Sequence, residues 1–201
     1  MADDSRIKAL RDALDIVRAR AVPFAILGSI AASRYRAAEW PGNGEDIDFF
    51  LEPGDAPGVL DAFDREGWET ERTFPEWLYK AKRDGVVVDL IFCVMGSVRL
   101  DDEMVSRAHT RELGGMTLPI LAPEDLIVTE VVAHGPETGS LWFNALDILE
   151  NVALDWPYFE RRVAPHRARA LALLAYARSN GIAVDDQVAA RLAADVFGER
   201  V

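Results

Sequence analysis

The chain of 201 residues has little cysteine, little histidine and no long apolar segment, and each shortage excludes a class of protein. Its one cysteine, Cys93, cannot form an internal disulfide, which argues against a disulfide-stapled secreted domain and fits a reducing compartment. The three histidines, His109, His134 and His166, are scattered and lack the spacing of a zinc site. The longest apolar run, residues 170–177, is far shorter than the ~20 residues that span a bilayer.

Basic residues are scarce beside acidic ones. Lys and Arg number 22 against 34 Asp and Glu, which gives a net charge of −12. A broad nucleic-acid surface needs clustered Lys and Arg to displace counterions, so the charge favours a small molecule or a protein as the acceptor over nucleic acid. The first residues are acidic and polar, without the features of an export signal, and we expect a cytoplasmic protein with no membrane partner.

Helical and strand patterns together predict an α+β fold, a mixed β-sheet flanked by helices with a C-terminal helical segment. Predicted helices cover residues 5–19, 29–38 and 57–65, and predicted strands cover residues 24–27, 45–51, 68–72, 77–82, 86–92, 111–113 and 116–120. From residue 123 onward the pattern is helical. We therefore expect a core at residues 1–122 and a helical C-terminal region, residues 123–201, packed on that core.

Two acids stand one residue apart in the predicted strand at residues 45–51. Since side chains alternate across a strand, Asp46 and Asp48 project from one face, and Ile47 and Phe49 project from the other. Two carboxylates held side by side repel each other, and a divalent cation relieves that repulsion. The other interpretation of the pair is a solvated sheet edge.

A third acid lies at the centre of an apolar strand. The segment at residues 86–92 is rich in β-branched residues and carries Asp89 in its middle. Burying an unpaired carboxylate costs roughly several kcal/mol, so Asp89 needs a cation, a basic partner or a route to solvent. With Asp46 and Asp48 on a neighbouring strand, three carboxylates could share one or two Mg²⁺ ions, which prefer oxygen ligands. The alternative is a structural ion pair of Asp89 with Lys or Arg.

A glycine turn precedes the acidic strand. Gly28 and Ser29 follow the apolar run at residues 24–27 and open the next predicted helix. A strand, a tight turn and a helix N-terminus together make an anion site, because unpaired N–H groups and the helix dipole point at the same place. Gly28 and Ser29 are therefore candidate phosphate ligands, and the alternative is a plain turn with an N-cap.

In this order, the segments resemble the polymerase-beta-like nucleotidyltransferases. That family has Gly-Ser or Gly-Gly after a strand, Asp-x-Asp on the next strand and a third Asp later, matched here by Gly28-Ser29, Asp46-x-Asp48 and Asp89. More narrowly, the chain resembles minimal bacterial nucleotidyltransferases of the abortive-infection toxin type. These continue with a Pro-Glu-Asp-Leu-Ile helix start, here residues 123–127, and a helix with Asp-x-x-Asp, here residues 144–147. The resemblance extends over roughly residues 20–163.

The resemblance implies an enzyme of the EC 2.7.7 type with a nucleotidyltransferase-like sheet. It would transfer a nucleoside monophosphate from an NTP such as ATP to a hydroxyl of a small molecule, protein or RNA, with a two-ion Mg²⁺ site. In the family the first two acids bind both metals and the third binds the catalytic one, which implies catalytic and metal-binding roles for Asp46, Asp48 and Asp89. Gly28 and Ser29 are the implied NTP-binding residues. The narrower type implies a toxin–antitoxin-like role.

Two positions depart from the narrower type. Glu130 stands where the related toxins commonly have a Lys, and Asn144 replaces the first acid of Asp-x-x-Asp. Loss of a charged hydrogen bond to phosphate weakens binding by roughly 1.5–3 kcal/mol unless another cation replaces it. Lys80, Lys82 and Arg161 are the candidates for that replacement.

These departures leave two other hypotheses. A catalytically weakened relative would bind nucleotide or a partner without turnover, which Glu130 and Asn144 favour and the three retained aspartates oppose. A structural protein with incidental acids is the third hypothesis, and it predicts that neither Mg²⁺ nor ATP binds.

Overall fold

The computed structural model describes residues 2–36, 46–135 and 138–198. The chain divides into two compact units, Met1–Ala122 and Pro123–Val201. The predicted end of the second helix, at residues 37–38, and the predicted start of the acidic strand at Glu45 lie outside the described residues. The packing of the helical region on the core stays a prediction.

The first unit contains a mixed sheet of seven strands. Its strands are β1 (Phe24–Ile26), β2 (Ile47–Leu51), β3 (Glu69–Phe74), β4 (Leu78–Arg83), β5 (Val86–Ile91), β6 (His109–Leu113) and β7 (Met116–Ile120). They lie in the order β3-β4-β5-β2-β1-β7-β6. Two neighbouring pairs, β2 with β5 and β1 with β7, are parallel, and the others are antiparallel. The predicted α+β fold with a mixed sheet flanked by helices is confirmed.

The helices of the first unit are α1 (Ala2–Ala19), α2 (Gly28–Tyr35), α3 (Ala56–Arg65) and α4 (Asp102–Arg107). Helix α1 buries Leu10, Leu14 and Val17 at helical spacing and packs against α3 and β5. Helix α4 is absent from the sequence-based prediction. Its start is fixed by Asp101, whose carboxylate accepts a hydrogen bond of 2.8 Å from the backbone N–H of Met104.

The middle of the sheet is its most apolar part. Ile47 and Phe49 on β2 and Val88 and Leu90 on β5 are fully buried. Strands covered on both faces are expected to be rich in β-branched and aromatic residues, and these two are. The acids that interrupt them are therefore held in a rigid part of the unit.

The second unit is helical where the structure describes it. Its elements are α5 (Pro123–Ala133), α6 (Gly139–Asn151), α7 (Trp156–Arg162), a short 3-10 turn (Ala164–His166), α8 (Arg167–Ser179) and α9 (Asp186–Phe197). Helix α5 packs against α6, α7 and α8, and it is buried from Pro123 to Val132 although it carries Glu124, Asp125 and Glu130. Among the described residues, no helix is both long and apolar enough to cross a membrane.

Candidate active site

The hairpin formed by β4 and β5 places a lysine beside the third predicted acid. Its turn residues, Asp84 and Gly85, have positive φ angles of 51° and 77°, which is typical of the two-residue type I′ turn. This turn fixes the register of the two strands, and Lys80 lies directly opposite Asp89. Side chains of opposed residues in an antiparallel pair share one face of the sheet at close range.

The Lys80 ammonium contacts two of the predicted acids. Its Nζ atom lies 2.7 Å and 2.8 Å from the two carboxylate oxygens of Asp89, and 3.2 Å from Oδ2 of Asp46. The Asp89 side chain is 11% exposed and that of Lys80 is 21% exposed, whereas the Asp46 side chain is 36% exposed. The ammonium therefore bridges a buried carboxylate and one that reaches solvent.

The second acid of the predicted pair lies next in the same row. Strands β2 and β5 are parallel and pair Asp48 with Asp89, so Lys80, Asp89 and Asp48 follow one another across three neighbouring strands. On the other side, a Cβ atom added to Gly28 would lie 2.1 Å from Oδ2 of Asp48. Gly28 also has a φ of 64°. A side chain at residue 28 would both occupy the space of the carboxylate and strain the backbone.

The predicted anion site begins at this glycine. Helix α2 starts at Gly28, and the residue before it, Leu27, has a side chain that cannot cap the first N–H groups. The hydroxyl oxygen of Ser29 is buried and has no hydrogen-bond partner among the described residues. Helix N-terminal N–H groups that Leu27 does not cap, together with the unsatisfied Ser29 hydroxyl, suit a phosphate, which would accept hydrogen bonds from both.

Burial and charge act in opposite directions on this lysine–aspartate pair. Burial raises the pKa of Asp89, and the hydrogen bond and charge of Lys80 offset that rise only in part. Burial alone lowers the pKa of Lys80. The hydrogen bond and charge of Asp89, with a smaller effect of Asp46, outweigh that lowering, so the pKa of Lys80 lies above its ordinary value. At neutral pH the ammonium is firmly protonated.

The structure thus brings the five predicted site residues into one region of the first unit. Strand β2 lies between β5 and β1, so Asp48 is not at a sheet edge, whereas Asp46 directly precedes the strand. The ion pair that was the alternative for Asp89 is present. Across residues 2–36, 46–135 and 138–198, no three His, Cys, Asp or Glu side chains converge closely enough to hold one metal ion.

The residues nevertheless fit a divalent cation by their chemistry. All three candidate ligands are carboxylates, the oxygen donors that Mg²⁺ prefers. A cation already lies between Asp46 and Asp89, in the form of the Lys80 ammonium. The absence of a side chain at Gly28 lets the Asp48 carboxylate lie directly against the start of α2. The metal-binding and catalytic roles of the three acids stay predictions.

Of the three basic residues considered as substitutes for a phosphate-binding lysine, Lys80 contacts the predicted acids Asp46 and Asp89. Lys82 pairs with Glu71 on β3 at 3.2 Å. Arg161, in the second unit, lies 5.3 Å from the centre of the Tyr158 ring. The register set by the Asp84-Gly85 turn is the sequence signal that distinguishes Lys80 from Lys82.

The two departures noted in the sequence lie on helices of the second unit. Glu130 is on α5 and is 3% exposed, and Asn144 is on α6. Helix α5 carries two more acids, Glu124 and Asp125, which accept hydrogen bonds within the second unit. Glu124 accepts a hydrogen bond of 2.6 Å from the backbone N–H of Asp155, and Asp125 accepts one of 2.7 Å from the Tyr158 hydroxyl.

Comparison with known families supports the resemblance. Residues 10–180 match the model of a family described as "uncharacterised nucleotidyltransferase". No curated protein sequence matches the chain significantly.

Solved structures of low sequence identity share the fold. One is the antibiotic-resistance factor ANT(2'')-Ia in solution, with 15% identity and a TM-score of 0.56 over 88% of this chain and 99% of that one. The crystal structure of ANT(2'')-Ia with adenylyl-2''-tobramycin has 14% sequence identity and a TM-score of 0.58, over 83% of this chain and 99% of that one. The lincosamide antibiotic adenylyltransferase LnuA, bound to lincomycin, has 13% sequence identity and a TM-score of 0.52, over 72% of this chain and 97% of that one.

Proposed function

This chain belongs to that nucleotidyltransferase family, and we propose that it is an Mg²⁺-dependent enzyme that transfers a nucleoside monophosphate from an NTP to a hydroxyl acceptor. The observation that carries the proposal is the row of Lys80, Asp89 and Asp48 on neighbouring strands, with Asp46 joined to it and Gly28 against Asp48. Such a row combines carboxylates for a hard cation with a helix N-terminus for phosphate.

Each residue has a definite task in this reaction. Asp46, Asp48 and Asp89 would hold two Mg²⁺ ions, which neutralise phosphate charge and align the reacting oxygen. The N–H groups at the start of α2 and the Ser29 hydroxyl would donate hydrogen bonds to the β and γ phosphates. Asp89, the most buried of the three acids, would accept the proton of the acceptor hydroxyl. Alignment and charge neutralisation are most of what nucleotidyl transfer needs.

The acceptor we propose is a cationic small molecule or a protein. The net charge of −12 attracts cations and disfavours an RNA surface. The likeness in fold to an antibiotic-resistance factor bound to adenylyl-2''-tobramycin and to a lincosamide antibiotic adenylyltransferase supports a small molecule, although fold alone does not choose a substrate. ATP is the first nucleotide to test.

The test is transfer of label from NTPs labelled at the α-phosphate, with Mg²⁺, to a panel of aminoglycosides, lincosamides and a cell extract. Transfer that is lost in Asp46→Asn and kept in Asp61→Asn supports the enzyme. Asp61 is an exposed acid on α3, so it controls for the loss of one charge. Transfer that survives Asp46→Asn would contradict the proposal.

The second candidate function is nucleotide binding without turnover, favoured by Glu130 and Asn144 in place of Lys and Asp. Tight NTP binding with no label transfer to any acceptor would select it. If isothermal titration detects binding of neither Mg²⁺ nor ATP, only the hypothesis of a structural protein with incidental acids remains.

The abortive-infection toxin type is a narrower proposal with its own test. Induced expression in a bacterial host should then arrest growth, and Asp46→Asn should relieve the arrest. Growth that is unaffected by the wild-type protein would leave the enzyme proposal intact and reject the toxin role.

A further inference from the structure

The Lys80 ammonium occupies the position where a bridging cation would bind Asp46 and Asp89. It makes three contacts of 3.2 Å or less with the oxygens of those two carboxylates. These are oxygens that a divalent cation would need as ligands. An ammonium and a metal ion compete for these oxygens, because the two cations repel each other at contact distance and each ammonium contact takes up a lone pair.

Lys80 differs from an ordinary surface lysine in its surroundings. It is held on a strand between neighbours on both sides, and its side chain is 21% exposed. The long stem can swing the ammonium away from the carboxylates without a change in the backbone. Lys82, two residues along the same strand, is 40% exposed and pairs with Glu71 instead.

From this geometry, and resting on the proposed function, we propose that Lys80 is a positioning residue that competes with the divalent cation. It holds Asp46 and Asp89 together without metal and must leave them when metal binds. The displaced ammonium then needs another anion. The triphosphate proposed to bind at Gly28 and Ser29 supplies one, since Gly28 adjoins Asp48, the neighbour of Asp89 in the row.

The consequence is that metal binding depends on nucleotide. Free metal must displace Lys80 without compensation, whereas a metal–nucleotide complex brings phosphate oxygens that accept the ammonium. Two ligands that relieve the same cost bind cooperatively, and such couplings are typically about 5–150-fold in affinity. Lys80 would therefore favour entry of the metal together with its NTP.

The experiment measures two affinities at pH 7.5 in the full chain. Binding of Mn²⁺ alone is followed by the electron paramagnetic resonance signal of the free ion. Binding of the Mn²⁺ complex is followed by the fluorescence anisotropy of a labelled, nonhydrolysable ATP analogue at saturating Mn²⁺. The proteins are the wild type, Lys80→Met, Lys80→Gln, Lys80→Arg and the control Lys82→Met, with thermal unfolding as a check of folding.

We expect Lys80→Met and Lys80→Gln to bind Mn²⁺ alone about tenfold more tightly than the wild type, with no gain for the complex. Lys80→Arg keeps the charge and should stay within about threefold of the wild type. Lys82→Met loses the same charge without touching the carboxylates and should behave as the wild type.

Unchanged or weaker binding of Mn²⁺ in both neutral variants would overturn the competition and leave the proposed function standing. An equal gain in Lys82→Met would also overturn it, because the effect would then be one of net charge. If no protein of the set binds Mn²⁺ or the complex, both this inference and the proposed function fail.

Discussion

Asp89 in the first unit and Asp125 in the second are both buried acids next to a cation. Asp125 is fully buried, lies 2.8 Å from Nε of Arg162 and accepts a hydrogen bond from the Tyr158 hydroxyl. Asp89 is also largely buried, but its partner is the single ammonium of Lys80, which it shares with the partly exposed Asp46. The partners of Asp125 are a planar guanidinium and a ring; that of Asp89 is a point charge on a flexible stem.

The difference teaches how to distinguish a structural acid from a candidate ligand. A buried acid that faces a guanidinium and accepts a hydrogen bond from a ring hydroxyl has fixed partners, and removing its cation leaves a buried charge without compensation. An acid whose cation can swing away, and which has other carboxylates beside it, can accept a different ion. Burial alone would rank Asp125 above Asp89 as a functional residue; the mobility of the partner reverses that order.

The largest expected effect is the loss of activity in Asp89→Asn. We expect transfer to drop by about 10²–10³-fold, the usual loss when one preorganised electrostatic group is removed from an active site. Lys80 keeps Asp46 as a partner and reaches solvent, so the free energy of unfolding should change by only about 1–2 kcal/mol. Label transfer and urea unfolding measure the two quantities. Loss of stability without loss of activity would make Asp89 a structural acid like Asp125.

In Asp125→Asn the large effect should be on stability, in contrast to Asp89→Asn. It removes the charge that faces Arg162, a side chain only 17% exposed, and we expect a loss of about 3–5 kcal/mol in the free energy of unfolding. Tyr158→Phe removes only the hydroxyl and should lose about 1–3 kcal/mol. Urea unfolding monitored by circular dichroism measures both. A change below 1 kcal/mol in Asp125→Asn would remove the contrast between the two acids.

Gly28→Ala tests whether ligand binding depends on the close contact between residue 28 and the Asp48 carboxylate. Gly28 and Gly67 both have positive φ, 64° and 78°, so alanine at either should cost about 1 kcal/mol through the backbone. The two differ in their surroundings, because nothing lies within 4 Å of a Cβ at residue 67, whereas Asp48 lies 2.1 Å from one at residue 28. We expect Gly28→Ala to abolish binding of the labelled ATP analogue with Mn²⁺.

Gly67→Ala is the matched control for the backbone cost and should keep that binding. If both variants bind the analogue equally, the close contact of Gly28 with Asp48 serves the turn and not the ligand.

Much of the site can be predicted from the sequence because it rests on local rules. Alternation puts Asp46 and Asp48 on one face, and the apolar strand identifies Asp89 as an acid that needs a partner. The Asp84-Gly85 turn goes further: counting outward from a two-residue turn pairs Lys80 with Asp89, so this contact can be predicted without coordinates.

The remaining features depend on long-range packing. The pairing of β2 with β5, which sets Asp48 beside Asp89, joins strands separated by α3, β3 and β4. The partners of Asp125 come from α7, more than 30 residues away. Helix α4 has six residues, too few to display a helical period, and Asp101 is its one clear local signal.

The smallest expected effect concerns pH, and the two units differ in the direction in which burial shifts a pKa. Burial, followed by the charge of Arg169, lowers the pKa of His166 below its ordinary value of 6.5. The unfolded chain then binds more protons than the native one between the two pKa values. The stability that the neutral ring contributes is therefore present above pH 6.5 and is lost as the pH falls through the folded pKa. Burial shifts the pKa of Asp89, in the first unit, in the opposite direction, above its ordinary value of 3.8.

Urea unfolding of the wild type and of His166→Gln at pH 8 and pH 5.5 tests the contribution of His166 to the pH dependence of stability. Between pH 8 and pH 5.5 the free energy of unfolding should fall more in the wild type than in the variant. The difference between the two losses should be less than about 1 kcal/mol, because the ring is partly solvated and its charge is screened. Equal losses in the two proteins would show that His166 does not cause the pH dependence of stability between pH 8 and pH 5.5. A larger loss in the variant would reverse the sign of the linkage and contradict a lowered pKa.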